Sequence, residues 1–600
     1  MKRCLFVSAF GAVLCLSTSA QVTTQHNDNS RTGQNVAETI LRPGNVVSSQ
    51  FGKLTAVSVD GFVAAQPLYL PNITLSDSSV HNVVYVATMH NSVYAIDALT
   101  GAILWTRSLL PPGASSVPIA TAGCPETAFS EVGILGTPVI DPVSNTMYAV
   151  SNTWENGAGV FRMYALDVTT GMDRAAATVV TGSILTTSGT LTFASKPQHQ
   201  RPGLLLANGN VYVAFGSNGC DLGATGWIMA YDKASLQQTA VGNIDSDQSF
   251  GGSIWQSGKG LAADSAGNLF FATANGVLNP STGDYGDSVV KFTGSLAASD
   301  YFSPYIHSLL DTDDYDLGSG GVILLPDQPG AVPHLLVAAG KEGTVYLLNR
   351  DNLGQFRSDQ DNVLQTIPGG LPTVGGGGTG AAFWNNNIYY ATTAAMRVFN
   401  LNNGALTPVS IPTGAANISG KGFPSVSANG STNGLVWILR GLTYTAPILT
   451  AYNATSMAMV YQSSTAANGR DAVGPIAHFA TPTIANGHVY VGTQSQLLIY
   501  GLLPQLKVWY GYGQSAKAGT TLPKSLQVRA VDGYSGALQP NISVTFSDNG
   551  AGGSFNPPTA ITNSSGVATT SYTLPATSGT VKITGSATGY SAAAFIETSQ

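Results

Sequence analysis

Short apolar, aromatic-rich runs alternate along this chain with clusters of Gly, Asn, Asp and Ser. VYVAT (84–88), MYAVS (147–151), VYVAF (211–215), LFFAT (269–273), LLVAA (335–339), IYYAT (388–392), VWILR (436–440) and VYVGT (489–493) are versions of one segment. Their second residues, Tyr85, Tyr148, Tyr212, Phe270, Leu336, Tyr389, Trp437 and Tyr490, recur at intervals of 48–66 positions. Most are followed by another run that ends in a turn, as in VYAIDALTG (93–101) and MYALDVTTG (163–171). Each is preceded by a run that often begins near Gly or Pro, as in GTPVID (136–141) and ATPTIANG (480–487). Short runs rich in β-branched and aromatic residues, bounded by turn formers, predict strands, and no long amphipathic helical pattern interrupts them. Eight such units of about four strands each predict an all-β, eight-bladed β-propeller, whose closure removes exposed sheet edges. The eighth unit is short, and FGKLTAVSVDG (51–61) is the segment expected to supply its outer strand. HNDNSRTGQN (26–35) reads as an N-terminal clasp.

The pattern changes near Leu506. LQVRAVD (526–532), ISVTFSD (542–548), GVATTSYTL (566–574) and TVKITGSATG (580–589) alternate apolar with polar residues at strand period, which predicts a small β-sandwich. At the other end, Lys2 and Arg3, the apolar stretch Cys4 to Leu16 and Thr18-Ser19-Ala20 follow the plan of a signal peptide. The expected division is a leader at 1–20, a propeller at 21–504 and a sandwich at 505–600, in an exported protein (periplasmic, cell-surface or secreted). No later run approaches the length of a membrane span.

Charge narrows the partners. Only 10% of the residues are charged, the net charge is −7, and loss of Lys2 and Arg3 with the leader makes it −9. Without a basic run, the charge argues against binding of nucleic acid or of an anionic membrane. Outside the leader only Cys124 and Cys220 remain, as one disulfide or two thiols. The motifs G-x-S-x-G, H-E-x-x-H and C-x-x-C are absent, and TVGGGGTG (373–380) lacks the Lys-Ser/Thr of a phosphate loop and reads as a blade connection. Against this acid-poor background, DTDDYD (311–316) places four carboxylates in six positions. A solvated turn, a structural calcium loop and a catalytic base with a metal ligand all use such clusters. His90, and His199, Gln200 and Arg201 in PQHQRPG, fall in turns expected at the channel mouth, where they would bind a substrate or carbohydrate or hold blade connections together.

VYAIDALTGAILW (93–105) resembles the repeat of pyrroloquinoline-quinone (PQQ) propellers, and further stretches resemble the quinoprotein alcohol dehydrogenases. SNGCDLGATGW (217–227) is similar to the family's G-A-E-x-G-x-x-G, with Asp221 in place of the acid that ligates the metal. GGSIWQSGKGLAADSAGNLFFATANG (251–276) is similar to the run whose Trp stacks on the quinone and whose Asn ligates the metal, here Trp255 and Asn275. GDYGDSVVKF (283–292) resembles the strand that follows. LDTDDYDLGSGG (310–321) resembles H-D-x-W-D-Y-D, with Asp314 on the catalytic base and Asp316 on the additional acid of lanthanide-using members. GKEGTVYLLNRDN (340–352) puts Lys341 on the cation that contacts the quinone oxygens.

The resemblance implies PQQ with a Ca²⁺ or lanthanide ion held by Asp221, Asn275, Asp314 and Asp316, and oxidation of a small alcohol or sugar. The residue types suit that chemistry: a hard cation takes several oxygen ligands, and a planar carboxylated cofactor takes an aromatic face and a cation. Trp255 alone also suits blade packing, and Lys341 with Glu342 suits an exposed turn. The chain departs from the family in having Cys124 alone where a vicinal disulfide stands, Asp313 for the Trp, Leu310 for the His, and no C-x-x-C-H haem motif. The segments ISVTFSDNGAGGSF and NSSGVATTSYTLP resemble the bacterial Ig-like (invasin-type, group 1) domains, which act as spacers or binding modules. The alternative function is therefore a non-catalytic propeller that binds a glycan, a peptide or an envelope partner, carried with an Ig-like spacer.

Overall fold

Strand pairing turns the repeats into eight four-stranded antiparallel units arranged in sequence. The computed structural model describes residues 20–121, 130–187, 189–217, 224–246, 251–373, 380–392, 395–411, 422–441 and 445–600. Cys124, Cys220, Asp221 and most of TVGGGGTG lie outside the described residues. Blade one comprises Leu68–Thr74, Val80–Ala87, Ser92–Asp97 and Ile103–Ser108. In every blade the recurring apolar segment forms the second strand, as Leu335–Ala339 does in blade five. Blade eight takes Thr483–Ala485, His488–Gly492 and Gln496–Leu502 from the end of the repeat region, and Phe51–Ser58 completes it as the fourth strand. Phe51 pairs with Leu502 and Val57 with Leu497, so the ring is fastened by an antiparallel ladder between distant parts of the chain.

Tyrosine recurs in the second strand for a physical reason. Its ring is buried between blades, and its hydroxyl donates to a backbone carbonyl of the next blade. Tyr85 reaches Val168 (3.1 Å), Tyr148 Lys233 (2.7 Å), Tyr212 Gly294 (2.8 Å), Tyr389 Ala454 (3.0 Å) and Tyr490 Ala98 (3.3 Å). Each such side chain joins apolar burial, about 2 kcal/mol, to a satisfied polar end. Where the position is Phe270, Lys291 from the adjacent strand lies over the ring (5.6 Å) and donates to the Arg350 carbonyl of blade five (2.9 Å).

The first strands of successive blades neighbour one another around the axis, from blade two through blade eight and on to blade one. The segment 22–35 runs inside that ring and meets the blades in order. The backbone of Val22 pairs with Tyr69 (2.8 and 2.9 Å), the Thr23 carbonyl accepts from Ile140 (2.8 Å), and the Asn29 amide donates to Leu206 (2.9 Å). The carbonyls of Asn29, Ser30, Thr32 and Gly33 then accept from Ala263 (2.8 Å), Leu324 (3.0 Å), Phe383 (2.7 Å) and Val426 (2.8 Å). Asn35 completes the circuit by donating to the Ile484 carbonyl of blade eight (2.9 Å). Arg31, fully buried, points its guanidinium at the Leu261 carbonyl (2.8 Å), the Gln25 carbonyl (2.7 Å) and the Thr24 hydroxyl (2.7 Å).

The last 96 positions form two sheets that face each other across the core of Leu526, Val528, Val544, Ala568, Ile583 and Phe595. Beside the N-terminal segment, Lys259 is 1% exposed and lies over Phe423 (5.7 Å). Burial, and then the charge of Arg31, push its ammonium down to about 7. Between that value and the unfolded 10.5 the unfolded chain holds one proton more, so stability rises with pH through this window. We expect urea denaturation between pH 7 and 10 to show a rise of about 1.4 kcal/mol per pH unit that Lys259→Met lacks. Equal slopes in the two proteins would show that the Lys259 ammonium keeps its proton in the folded chain through this range.

Candidate functional site

Four connections from the middle of the propeller converge on one face. Trp255 lies on the approach to blade four. Asn275 follows the second strand of that blade, Leu269–Ala272. The loop 313–317 leads from the short helix His307–Thr312 towards blade five, and Lys341 turns between Leu335–Ala339 and Val345–Asn349. Gly340 allows the close approach, since a Cβ there would stand 2.7 Å from the Asp316 carbonyl oxygen and from Leu317 Cα. Asp314 adopts a left-handed backbone (φ +56°), which Asp tolerates better than most residues.

The ammonium of Lys341 joins these parts. It lies 2.9 Å from Asp314 Oδ2, 2.5 Å from Asp316 Oδ2 and 5.8 Å from the centroid of the Trp255 ring. The two carboxylates differ in setting: the Asp316 side chain is 8% exposed and that of Asp314 is 69% exposed. Asn275 ties them together, its side-chain amide donating to Asp314 Oδ1 (2.9 Å) and its backbone N–H to Asp316 Oδ1 (3.2 Å). Asn275 Oδ1 is buried and has no hydrogen-bond partner. Burial raises the carboxyl of Asp316, with Lys341 pulling the other way. For Lys341, burial works to lower the ammonium, but Asp316 and Asp314 outweigh it and the net shift is upward. It is therefore a firmly charged ion.

Asp287, in GDYGDSVVKF, lies behind this group and carries no signal in the sequence beyond its neighbouring acid. It is fully buried; Oδ1 accepts from the Leu317 backbone (2.9 Å) and Oδ2 has no partner. Burial, followed by the charges of Asp316 and Asp311, pushes its carboxyl well above the usual range. Phe479, on the approach to blade eight, meets Trp255 edge-on (5.9 Å) and lies under Arg201 (5.9 Å). A water-sized cavity of about 10 Å³ adjoins them, lined by Gln25, Gln66, Thr137, Arg201, Phe423 and Phe479. His90 pairs with Glu131 (2.8 Å), which raises its pKa, and His199 sits in a short ladder with Gly216.

No protein-family model matches the chain. It is 23% identical over 348 residues to the dehydrogenase subunit of the quinone alcohol dehydrogenase of Acetobacter aceti, a match that covers 52% of this chain and 42% of the relative. The chain thus spans less than half of that relative's length. Among solved structures, the quinohemoprotein alcohol dehydrogenase of Comamonas testosteroni is matched with a TM-score of 0.54 at 14% identity over 80% of each chain. A europium-containing methanol dehydrogenase is matched with a TM-score of 0.54 at 14% identity, over 81% of this chain and 99% of that one. The fold is that of the quinoprotein alcohol dehydrogenases.

Within this propeller, the residues singled out by sequence stand together where they are described: Trp255, Asn275, Asp314, Asp316 and Lys341 form one connected group. Lys341, whose position also suited an exposed turn, is 6% exposed. Removing one partner of a buried pair leaves the other charge uncompensated, which costs about 3–5 kcal/mol. Lys341→Met is expected to lose stability of that order in urea denaturation, and the double variant Lys341→Met/Asp316→Asn to recover most of it. Additive losses in the two variants would mean that the pair does not hold the loop.

Proposed function

We propose that this chain is an exported PQQ- and metal-dependent dehydrogenase of a small alcohol or sugar, with a propeller unit at 21–504 and an Ig-like module at 505–600. The observation that carries this reading is the buried Lys341 ammonium between the Trp255 ring and two carboxylates, next to the unpartnered oxygen of Asn275. The donor set fits the group. Asn275 Oδ1 and the Asp314 carboxylate offer hard oxygens to a Ca²⁺ or lanthanide ion, and Asp221 and Asp316 are the further acids assigned to it. The partly buried Trp255 offers an aromatic face, and Lys341 a cation for the quinone oxygens.

In this reading Asp314, the exposed carboxylate of the pair, accepts the hydroxyl proton of the substrate. Asn275 and Lys341 fix its two oxygens, so that its orientation is set before substrate arrives. Asp316 keeps Lys341 charged and in place. When bound, the metal and quinone supply the electrophile and two-electron sink that the side chains lack.

A second reading rests on the same geometry. Lys341 already satisfies both carboxylates, as it would in a purely structural clamp on a propeller that binds a surface glycan or protein. Titration of the mature protein with PQQ in the presence of Ca²⁺ or La³⁺, followed by quinone absorbance and by dye reduction with an alcohol panel, separates the two. Saturable binding that weakens at least tenfold in Trp255→Ala and Asn275→Ala, with turnover abolished in Asp314→Ala, is the expected result. Absence of binding with either metal sinks the dehydrogenase and leaves the clamp.

A further inference from the structure

The strand Gln505–Tyr510 lies at the edge of one sheet of the C-terminal sandwich and pairs on its other side with Leu526–Val531. Leu506, opposite Ala530, and Val528, opposite Val508, belong to the core, while Lys507, opposite Arg529, is exposed. Strict alternation would then turn one of Trp509 and Tyr510 inwards. The register instead shifts between Val508 and Tyr510, so Trp509 is the extra residue of a bulge and both rings remain outside. Trp509 is 52% exposed, Tyr510 48% and Tyr512 61%. Gly511, between the tyrosines, lets the chain hug its neighbour: a Cβ there would stand 2.2 Å from the Ser525 carbonyl oxygen.

Three aromatic rings left outside within four positions are not a folding requirement, and exposed aromatic clusters mark recognition surfaces. These rings are also held in place. The Arg529 guanidinium lies 3.1 Å from the centroid of Trp509, and the Lys524 ammonium 5.7 Å from that of Tyr510. The neighbouring solvent-facing positions Gln527 and Thr569 are polar. Charge completes the pattern. From 505 to 600 the basic residues are Lys507, Lys517, Lys524, Arg529 and Lys582, and the acids only Asp532, Asp548 and Glu597. The sandwich is thus net positive by two in a chain of net charge −7.

Each of those acids is committed elsewhere. Asp532 accepts from the backbone of Tyr534 and Ser535, Asp548 from Gly553 and the Tyr572 hydroxyl, and the fully buried Glu597 from Gly513 and Gln514. Among the described residues, no carboxylate forms an ion pair with Lys507, Lys524 or Arg529. Flat, pre-positioned rings accept the C–H face of a sugar ring, and adjacent unpaired cations accept its carboxylates.

We propose that Trp509, Tyr510 and Tyr512, with Lys507, Lys524 and Arg529, form a binding platform for an acidic, uronate-bearing polysaccharide. The platform is independent of the propeller site and of any activity there. A protein partner would fit the aromatic rings but gives no reason for the cations to stand unpaired beside a row of polar Thr and Gln.

The test is affinity gel electrophoresis of the full mature chain through polygalacturonate, alginate or neutral dextran, with tryptophan fluorescence as a second readout. Retardation by the acidic polymers alone is expected, weakening as salt is raised from 50 to 500 mM. Trp509→Ala and the pair Lys507→Gln/Lys524→Gln should each reduce the affinity about tenfold or more, with unchanged thermal unfolding. Equal retardation by dextran would overturn the assignment of an acidic ligand. No retardation, or retardation unchanged in Trp509→Ala, would overturn the platform. A concentration-dependent dimer in sedimentation that Trp509→Ala abolishes would assign the surface to a second copy of the chain instead. Should Trp509→Ala fail to fold, Tyr512→Ala, on the turn beyond the strand, gives the same reading.

Discussion

A ring of eight wedges leaves a channel on its axis, and the polar backbone facing that channel has to be satisfied. In this protein the segment 22–35 does so, with one hydrogen bond or more to the region of every blade's first strand, taken in the order of the blades. A short stretch of chain therefore checks the number and spacing of the blades. It is held by its own buried cation, since Arg31 donates to carbonyls of both the segment and the propeller wall. The ladder of Phe51–Ser58 on Gln496–Leu502 locks the circumference while the segment fills the centre. Neither contact is local in sequence, so the propeller is cooperative across its whole length and not a stack of independent repeats.

The interblade tyrosines give the ring its radial order, and the site depends on that order. Trp255 and Phe479 approach different blades, four and eight, and their edge contact spans the channel mouth. Asn275, Asp314 and Lys341 come from two adjacent blades and the connection between them, so their separations follow from how those blades pack. Lys291 shows how firmly the packing is imposed. Where Phe270 removes the tyrosine hydroxyl, another side chain supplies the donor to the next blade.

The periodic features were legible in the sequence. Recurring second strands, the closing strand at 51–61 and the clasp at 26–35 follow from apolar period and turn chemistry, which act over a few residues. Trp255, Asn275, Asp314, Asp316 and Lys341 were legible as a resemblance, and the structure brings them together. Burial was not legible. Lys341 next to Glu342 reads as a solvated turn, yet two carboxylates from another connection enclose it. Asp287 looks like any acid in a turn, and only its burial, with the charges of Asp316 and Asp311, raises its carboxyl above the usual range. Phe479 carries no motif at all, because its role depends on a tryptophan more than two hundred positions away.

The charges at the site do not cancel, and the imbalance bears on what it holds. Lys341 is one positive charge set against Asp314 and Asp316, and burial with the charges of Asp316 and Asp311 raises the carboxyl of Asp287 behind them. Two carboxylates thus stand against one ammonium, beside a buried amide oxygen without a donor. A clamp built only for stability would lose little by replacing Asp314 with a neutral residue, since Asp316 already pairs with the ammonium and an exposed ion pair contributes little. The second carboxylate stands in a left-handed backbone and is tethered at both oxygens, which suits the cation ligand and proton acceptor of the proposed function. Under the proposed function, Asn275 Oδ1 and Asp314 would be among the oxygens that hold a metal ion, and Asp314 would be the carboxylate that takes up a proton.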